Sequence, residues 1–293
     1  MTEKYSRRTF LKRAFSYLFG SVASISIGYA YARYIEPRQV SIVKHSITHP
    51  LIPAGFNGTK IVQFSDIHLG HNYELSHLNK NINLINELQP DIVLFTGDLI
   101  DNPLIYPEAE KIIPLLSKIT APLGKFSIYG NHDHGGYGSD QYKMIMVKSG
   151  FRVLANDYHT VKSIDNSEIS IAGIDDLLLG RPDYEKTLQN NPATVYTILM
   201  IHEPDTAETS AQYNVHLQLS GHSHGGQIQL PFLGPLITPP LATKYYEGFY
   251  EIGEEKLKLY VNRGLGTTRL PFRFLSKPEI TEFTLKKDAN ASF

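Results

Sequence analysis

Two stretches decide the fold: Lys60-Ile61-Val62-Gln63-Phe64-Ser65-Asp66-Ile67-His68, and Asp91-Ile92-Val93-Leu94-Phe95-Thr96-Gly97-Asp98-Leu99-Ile100-Asp101. Each begins as a short β-branched run, the composition of a strand, and each ends in residues of the types that can ligate metal ions. Between them Leu75, Leu78, Ile82, Ile85 and Leu88 recur at helical spacing, and Pro90 closes that helix. The unit is therefore β-α-β, with both strands delivering carboxylates at their carboxyl ends.

The same grammar extends outward. Val40–Val43 reads as an opening strand. Pro107–Ile119 reads as a helix that Pro114 must kink or split. Phe126–Tyr129 is a strand running into Gly130-Asn131-His132-Asp133, and Tyr142–Lys148 is helical. Thr160–Ile164 and Glu168–Ile174 pair as a hairpin around Asp165-Asn166. Thr194–Ile201 is a strand ending at His202, Ala207–Tyr213 a helix, and His216–Ser220 a strand ending at Gly221-His222. The tail Tyr246–Lys286 reads as strands with one long loop, Asn262–Pro278. Alternation of this kind predicts an α/β protein with helices outside, and residues 38–288 read as one domain.

Five predicted strands end in metal-ligand residue types: Asp66 and His68; Asp98 and Asp101; Asn131 and His132; His202; His222 and His224. Sites in open α/β sheets form beyond the carboxyl ends of the strands, so these loops are able to converge. Asp66, His68, Asp98, Asn131, His202, His222 and His224 make seven donors, too many for one ion that keeps an open position. They suit two ions sharing a bridging carboxylate. The chain has no cysteine, which excludes disulfides and thiolate ligation. Mixed nitrogen and oxygen donors favour Mn, Fe, Zn, Co or Ni over Ca or Mg. Two such ions about 3.5–4 Å apart activate water and clamp an in-line displacement at phosphorus.

The ordered set D-x-H, G-D-x-x-D, G-N-H-D, a later lone His and G-H-S-H-G-G-Q (Gly221–Gln227) resembles the calcineurin-like metallophosphoesterase superfamily, from about Val40 to Lys286. With the N-terminus and Asn262-Arg263-Gly264-Leu265-Gly266-Thr267-Thr268, it is similar to the exported YkuE-like branch. The resemblance implies a four-layer α/β/β/α sandwich. It implies Asp66, His68, Asp98 and His224 on one metal, and Asp98, Asn131, His202 and His222 on the other. It implies a metal-bridging hydroxide as the attacking group. His132 would assist the leaving oxygen and Asp101 would orient His132 by hydrogen bonding. The expected reaction is hydrolysis of a phosphodiester or phosphomonoester. The alternatives are a pyrophosphatase on a UDP-diacylglucosamine-like lipid nucleotide, a non-phosphate metallohydrolase, or a catalytically silent metal-binding module. His71, His134 and Arg263 are expected substrate contacts.

The N-terminus is an address. Ser6-Arg7-Arg8-Thr9-Phe10-Leu11-Lys12 resembles a twin-arginine export signal, followed by an uncharged stretch, Ala14–Ala32, diluted with Ser, Gly and Tyr. Residues 1–32 are either cleaved after Ala30-Tyr31-Ala32 or kept as a membrane anchor through residues 14–32. The implied partners are the twin-arginine translocase and a lipid or cell-wall polymer substrate. The implied location is the outer face of the cytoplasmic membrane, the cell wall or the periplasm. Residues 1–32 hold five of the 28 Lys and Arg residues and one of the 29 acids, leaving 23 bases against 28 acids in the body. A mildly acidic body is a poor nonspecific binder of nucleic acid, and no nucleic-acid partner is expected.

Overall fold

The computed structural model describes residues 7–134, 139–254 and 257–288. Ser6 of the twin-arginine motif, with Glu3 and Lys4, lies outside them. The strands are β1 Ser41–His49, β2 Lys60–Phe64, β3 Ile92–Phe95, β4 Gly124–Ser127, β5 Arg152–Val153, β6 Asp157–Lys162, β7 Glu168–Gly173, β8 Thr197–Met200, β9 Leu217–Ser220, β10 Gln229–Leu230, β11 Gly234–Pro235, β12 Gly248–Ile252, β13 Leu257–Val261 and β14 Glu279–Lys287. The helices are α1 Arg7–Ala30, α2 Leu75–Glu87, α3 Ala109–Leu116, α4 Asn131–His134, α5 Ser139–Lys148, α6 Tyr184–Leu188 and α7 Ala207–Ser210.

Twelve strands form two six-stranded sheets, ordered β1-β14-β2-β3-β4-β5 and β12-β13-β9-β8-β7-β6. In the first, β2 to β5 run parallel. In the second, β7, β8, β9 and β13 run parallel, with β6 and β12 antiparallel at the edges. The central strands β2, β3, β8 and β9 are buried on both faces, as strands of sheets covered on both sides must be. On β3, Ile92 and Leu94 face the opposite sheet, while Val93 and Phe95 pack with α2, α3 and α5. On β8, Ile198 and Met200 fill the space between sheets, while Leu199 packs outward with Leu188 and Ala207 of α6 and α7. Three cores separate four layers, the expected α/β/β/α sandwich.

Several boundaries differ from expectation. The opening strand extends to His49 because β14 pairs with all of it, from Ser41 opposite Glu279 to His49 opposite Lys287. The helix expected at 107–119 contracts to Ala109–Leu116 with Pro114 inside. The helix expected at 207–213 ends at Ser210, where the chain tightens into i→i−3 turns, Gln212 N to Thr209 O and Tyr213 N to Ser210 O. No residue of α1 is buried. Among the described residues no helix is long and apolar enough to cross a membrane. After α1 the chain is tied down: Arg273 N donates to Ala32 O at 3.0 Å, and the buried Glu36 carboxylate accepts from Ser276 N at 2.6 Å.

Candidate metal centre

Parallel neighbours β2, β3 and β4 end on one side of the first sheet, and β8 and β9 end beside them in the second. The five loops leaving these strands meet. Three groups of ligand atoms lie within 4.8 Å of one another: Asp66, His68 and His224; His68, Asp98 and His132; Asp98, His202 and His222. His224 Nε2 is 3.4 Å from Asp66 Oδ1, His68 Nε2 is 3.5 Å from Asp98 Oδ2, and His202 Nε2 is 3.2 Å from the same Asp98 oxygen. Asp98 thus touches both halves. Asn131 lines the cavity above them with His68, Asp98 and His222.

Backbone geometry aims these side chains. Asp66, His68, Asp98, His222 and His224 all hold left-handed φ, between 49° and 68°. Non-glycine residues occupy this region at a cost and cluster at functional sites. Gly97 is required for a different reason: at φ 97° a Cβ would lie 2.6 Å from Gly130 N and 2.8 Å from His202 Nδ1.

Two imidazoles, His202 and His222, have one nitrogen bonded outside the cluster, which fixes the one that points in, and a carboxylate stands behind a third. His202 Nδ1 donates to Thr96 O at 2.7 Å, His222 Nε2 to Pro240 O at 2.9 Å, and His68 Nδ1 lies 3.2 Å from Asp101 Oδ1. Burial, then the charge of His202, pushes His222 down to about 4, and burial with the neighbouring His68 and Arg273 holds His224 well below the usual imidazole range. Neutral imidazole is the ligating form.

The donors fit divalent cations. His68 Nε2 and His224 Nε2 face each other at 3.0 Å, both buried. Buried Asn131 Oδ1 and His202 Nε2 have no hydrogen-bond partner. Inward-facing lone pairs and two buried carboxylates would be compensated by bound cations, and a sulfur-free N/O set suits first-row transition metals.

His132 stands at the mouth, half-buried. Its backbone N donates to Asp98 Oδ1 at 2.9 Å and its Nδ1 to the backbone carbonyl of Asp101 at 2.6 Å, whereas the Asp101 carboxylate is 3.8 Å away. Burial would lower the His132 pKa, but Asp98, the Asp101 carbonyl and the Asp101 and Asp133 carboxylates outweigh it and raise it.

Two of the three expected substrate contacts, His134 and Arg263, have other partners. His134 Nε2 is bonded to Asp175 Oδ1 at 2.7 Å, whereas His71 Nε2 is buried without a hydrogen-bond partner. Arg263 Nε is 2.7 Å from Glu279 Oε2, and its guanidinium is 3.6 Å from Glu247. Arg269 is the loop arginine that lines the cavity.

Two structural residues escaped the sequence reading. The buried Asp133 carboxylate accepts from the backbone N of Asp98, Leu99 and Gly130 at 2.8 to 2.9 Å, clipping the β3 and β4 loops together. Arg273, fully buried, donates to the carbonyls of Arg263, Gly264, Gly266 and Ser276 beneath His224.

The family model for calcineurin-like phosphoesterases matches residues 59–226. The chain is 54% identical over 284 residues to the uncharacterized metallophosphoesterase YkuE of Bacillus subtilis, covering 97% of this chain and 99% of that one. It is 30% identical to the UDP-2,3-diacylglucosamine pyrophosphatase LpxG of Chlamydia trachomatis (88% and 93% covered) and 28% identical to the phosphodiesterase YaeI of Escherichia coli (96% and 99% covered).

Proposed function

We propose that this chain, which belongs to the calcineurin-like phosphoesterase family, hydrolyses a phosphodiester or phosphomonoester at the cell envelope. Its class is metal-dependent phosphoester hydrolase, with His/Asp clusters able to hold two divalent ions. Asp66, His68 and His224 would hold one, Asn131, His202 and His222 the other, and Asp98 both. Ions bound there supply Lewis acidity and lower the pKa of water enough for attack near neutral pH.

The observation that carries the reading is the placement of His132, in the mouth beside the ligand cluster. Its Nδ1–H is committed to the Asp101 carbonyl, so Nε2 faces the cavity. A raised pKa favours the protonated ring, which is able to donate to a leaving oxygen and to stabilise charge building on phosphorus. The phosphodiesterase name of the Escherichia coli relative favours a diester. The name of the Chlamydia relative, with the apolar cavity wall of Leu236, Ile237 and Leu270, favours the second reading, a pyrophosphatase on a UDP-diacylglucosamine-like substrate.

The test is hydrolysis of bis-p-nitrophenyl phosphate by the full chain loaded with Mn. The reading expects chelator-sensitive turnover that falls at least about 100-fold in His132→Ala, the scale of a lost general acid, with metal content unchanged. A metal-loaded chain inert on both diesters and monoesters would contradict it. The envelope location rests on Arg7-Arg8. Replacing both with lysine is expected to leave active enzyme inside the cell, and unaltered export would remove that part of the reading.

A further inference from the structure

The mouth of the cavity is apolar where exposed turns are ordinarily polar. β10 and β11 pair as a hairpin, Gln229 opposite Pro235 and Leu230 opposite Gly234, with Pro231-Phe232-Leu233 at its tip. Phe232 is 105% exposed and Leu233 79%. Phe232 also holds a φ of 68°, a conformation that glycine or asparagine adopts cheaply and a bulky aromatic does not. Backbone strain and an unburied ring fall on the same residue, and neither helps the turn. Strain of this kind points to function.

The apolar surface continues from the tip to the metal centre. Leu236 and Ile237, next along the hairpin, are exposed and line the cavity together with Leu270 and His132. Among the described residues that line this cavity, Arg269 is the only arginine or lysine, and it is exposed at the rim. The loop that carries Arg269 and Leu270 also holds the N-terminal segment. Phe272 packs edge-on against Tyr29 with ring centroids 5.3 Å apart, and Arg273 N donates to Ala32 O. Helix α1, with Phe15, Leu18, Phe19 and Ile25 exposed, therefore leaves the body from the rim of the catalytic mouth. Apolar patches contiguous with a site mark a contact with another apolar phase, and an apolar tip beside a cation matches the boundary between acyl chains and anionic headgroups.

We propose that the Phe232–Leu233 tip inserts into a lipid surface and seats the mouth on it, so that the substrate is an amphiphile: a phosphoester carrying a long acyl or alkyl chain. The substrate half rests on the phosphoesterase reading; the insertion half does not. Leu236, Ile237 and Leu270 receive the first methylenes of that chain, and Arg269 faces the phosphate region.

The chain has no tryptophan, so Phe232→Trp in the full chain creates a single emission reporter at the tip. With vesicles of phosphatidylcholine and phosphatidylglycerol, its emission is expected to shift to the blue and to be quenched by brominated lipid. Vesicle binding with unshifted emission would mean that α1 alone attaches the protein, and would overturn the proposal. A blue shift that follows protein concentration without lipid would mean a second copy covers the tip, and would also overturn it. The substrate half is read from one preparation as a ratio: hexadecyl p-nitrophenyl phosphate in vesicles against methyl p-nitrophenyl phosphate in solution. Phe232→Ser with Leu233→Ser is expected to lower that ratio about tenfold, the scale of losing part of two buried side chains, while Phe232→Leu restores it. A ratio that does not move overturns the substrate half. A chain that turns over neither ester fails as a phosphoesterase, and the emission shift still decides insertion.

Discussion

Asp101 serves two histidines with different atoms. Its carbonyl takes the His132 Nδ1–H at 2.6 Å, while its carboxylate lies 3.2 Å from His68 Nδ1. The resemblance led us to expect Asp101 to orient His132, and the orienting atom is one that any residue at that position supplies. The carboxylate is placed to fix the ring of a ligand histidine, as groups behind metal ligands do. Asp101→Asn is therefore expected to weaken metal binding by about tenfold or more while leaving turnover at saturating metal little changed; metal titration alongside steady-state rates checks this. A collapse in turnover with unaltered affinity would return the carboxylate to His132. At this scale the convergence of Asp66, His68, Asp98, His202, His222 and His224 was legible because each lies just beyond a recognisable strand. Asp133 was visible in Gly130-Asn131-His132-Asp133, but its role was not, since its partners include backbone N–H groups of Asp98 and Leu99. Arg273 gave no signal: an arginine between two phenylalanines in a loop looks the same whether solvated or buried.

Among the elements, strands were easier to read than helices. Sheets covered on both faces produce unbroken apolar runs, and β2, β3, β8 and β9 fall inside such runs. Helix ends were less legible because the turns that follow α7 carry the chain onward without a Gly or Pro stop. Loop geometry was invisible, since left-handed φ at five ligand positions is imposed by contacts between loops. Gly97 tests those contacts. A methyl there meets Gly130 N and His202 Nδ1, forcing the β3 loop away from β4 and β8. Gly97→Ala is expected to destabilise the fold by about 1–3 kcal/mol and to lose metal, read by denaturant midpoint and metal content. An unperturbed centre would refute the close packing.

The β8–β9 pair carries a titrating link. His216 Nδ1 accepts from Thr197 N at 3.0 Å, which requires a neutral ring. Burial first, and His49 second, push its pKa from 6.5 down to about 4. The unfolded chain therefore takes up this proton first on acidification. The His216 contribution to stability is full above about pH 6.5 and is lost as pH falls toward 4. His216→Asn keeps an acceptor without a titrating ring and is expected to flatten the acid limb of a melting-temperature profile across that window. An unchanged limb would exclude this link.

Across the whole molecule, the metal centre joins the two sheets at their carboxyl ends. Asp66, His68, Asp98 and Asn131 come from the first, His202, His222 and His224 from the second. Cations there bind only the folded arrangement, so chelation is expected to lower the melting temperature by mass action. The central claim is that this one shared centre, holding two ions, performs the hydrolysis. The most direct measurement is titration of the metal-free full chain with Mn, following bound metal and bis-p-nitrophenyl phosphate hydrolysis together. The account predicts that activity rises to its plateau with the second equivalent bound, and that Asp98→Asn abolishes both that second equivalent and the activity. Full activity with one ion bound, or activity that survives chelation, would contradict it.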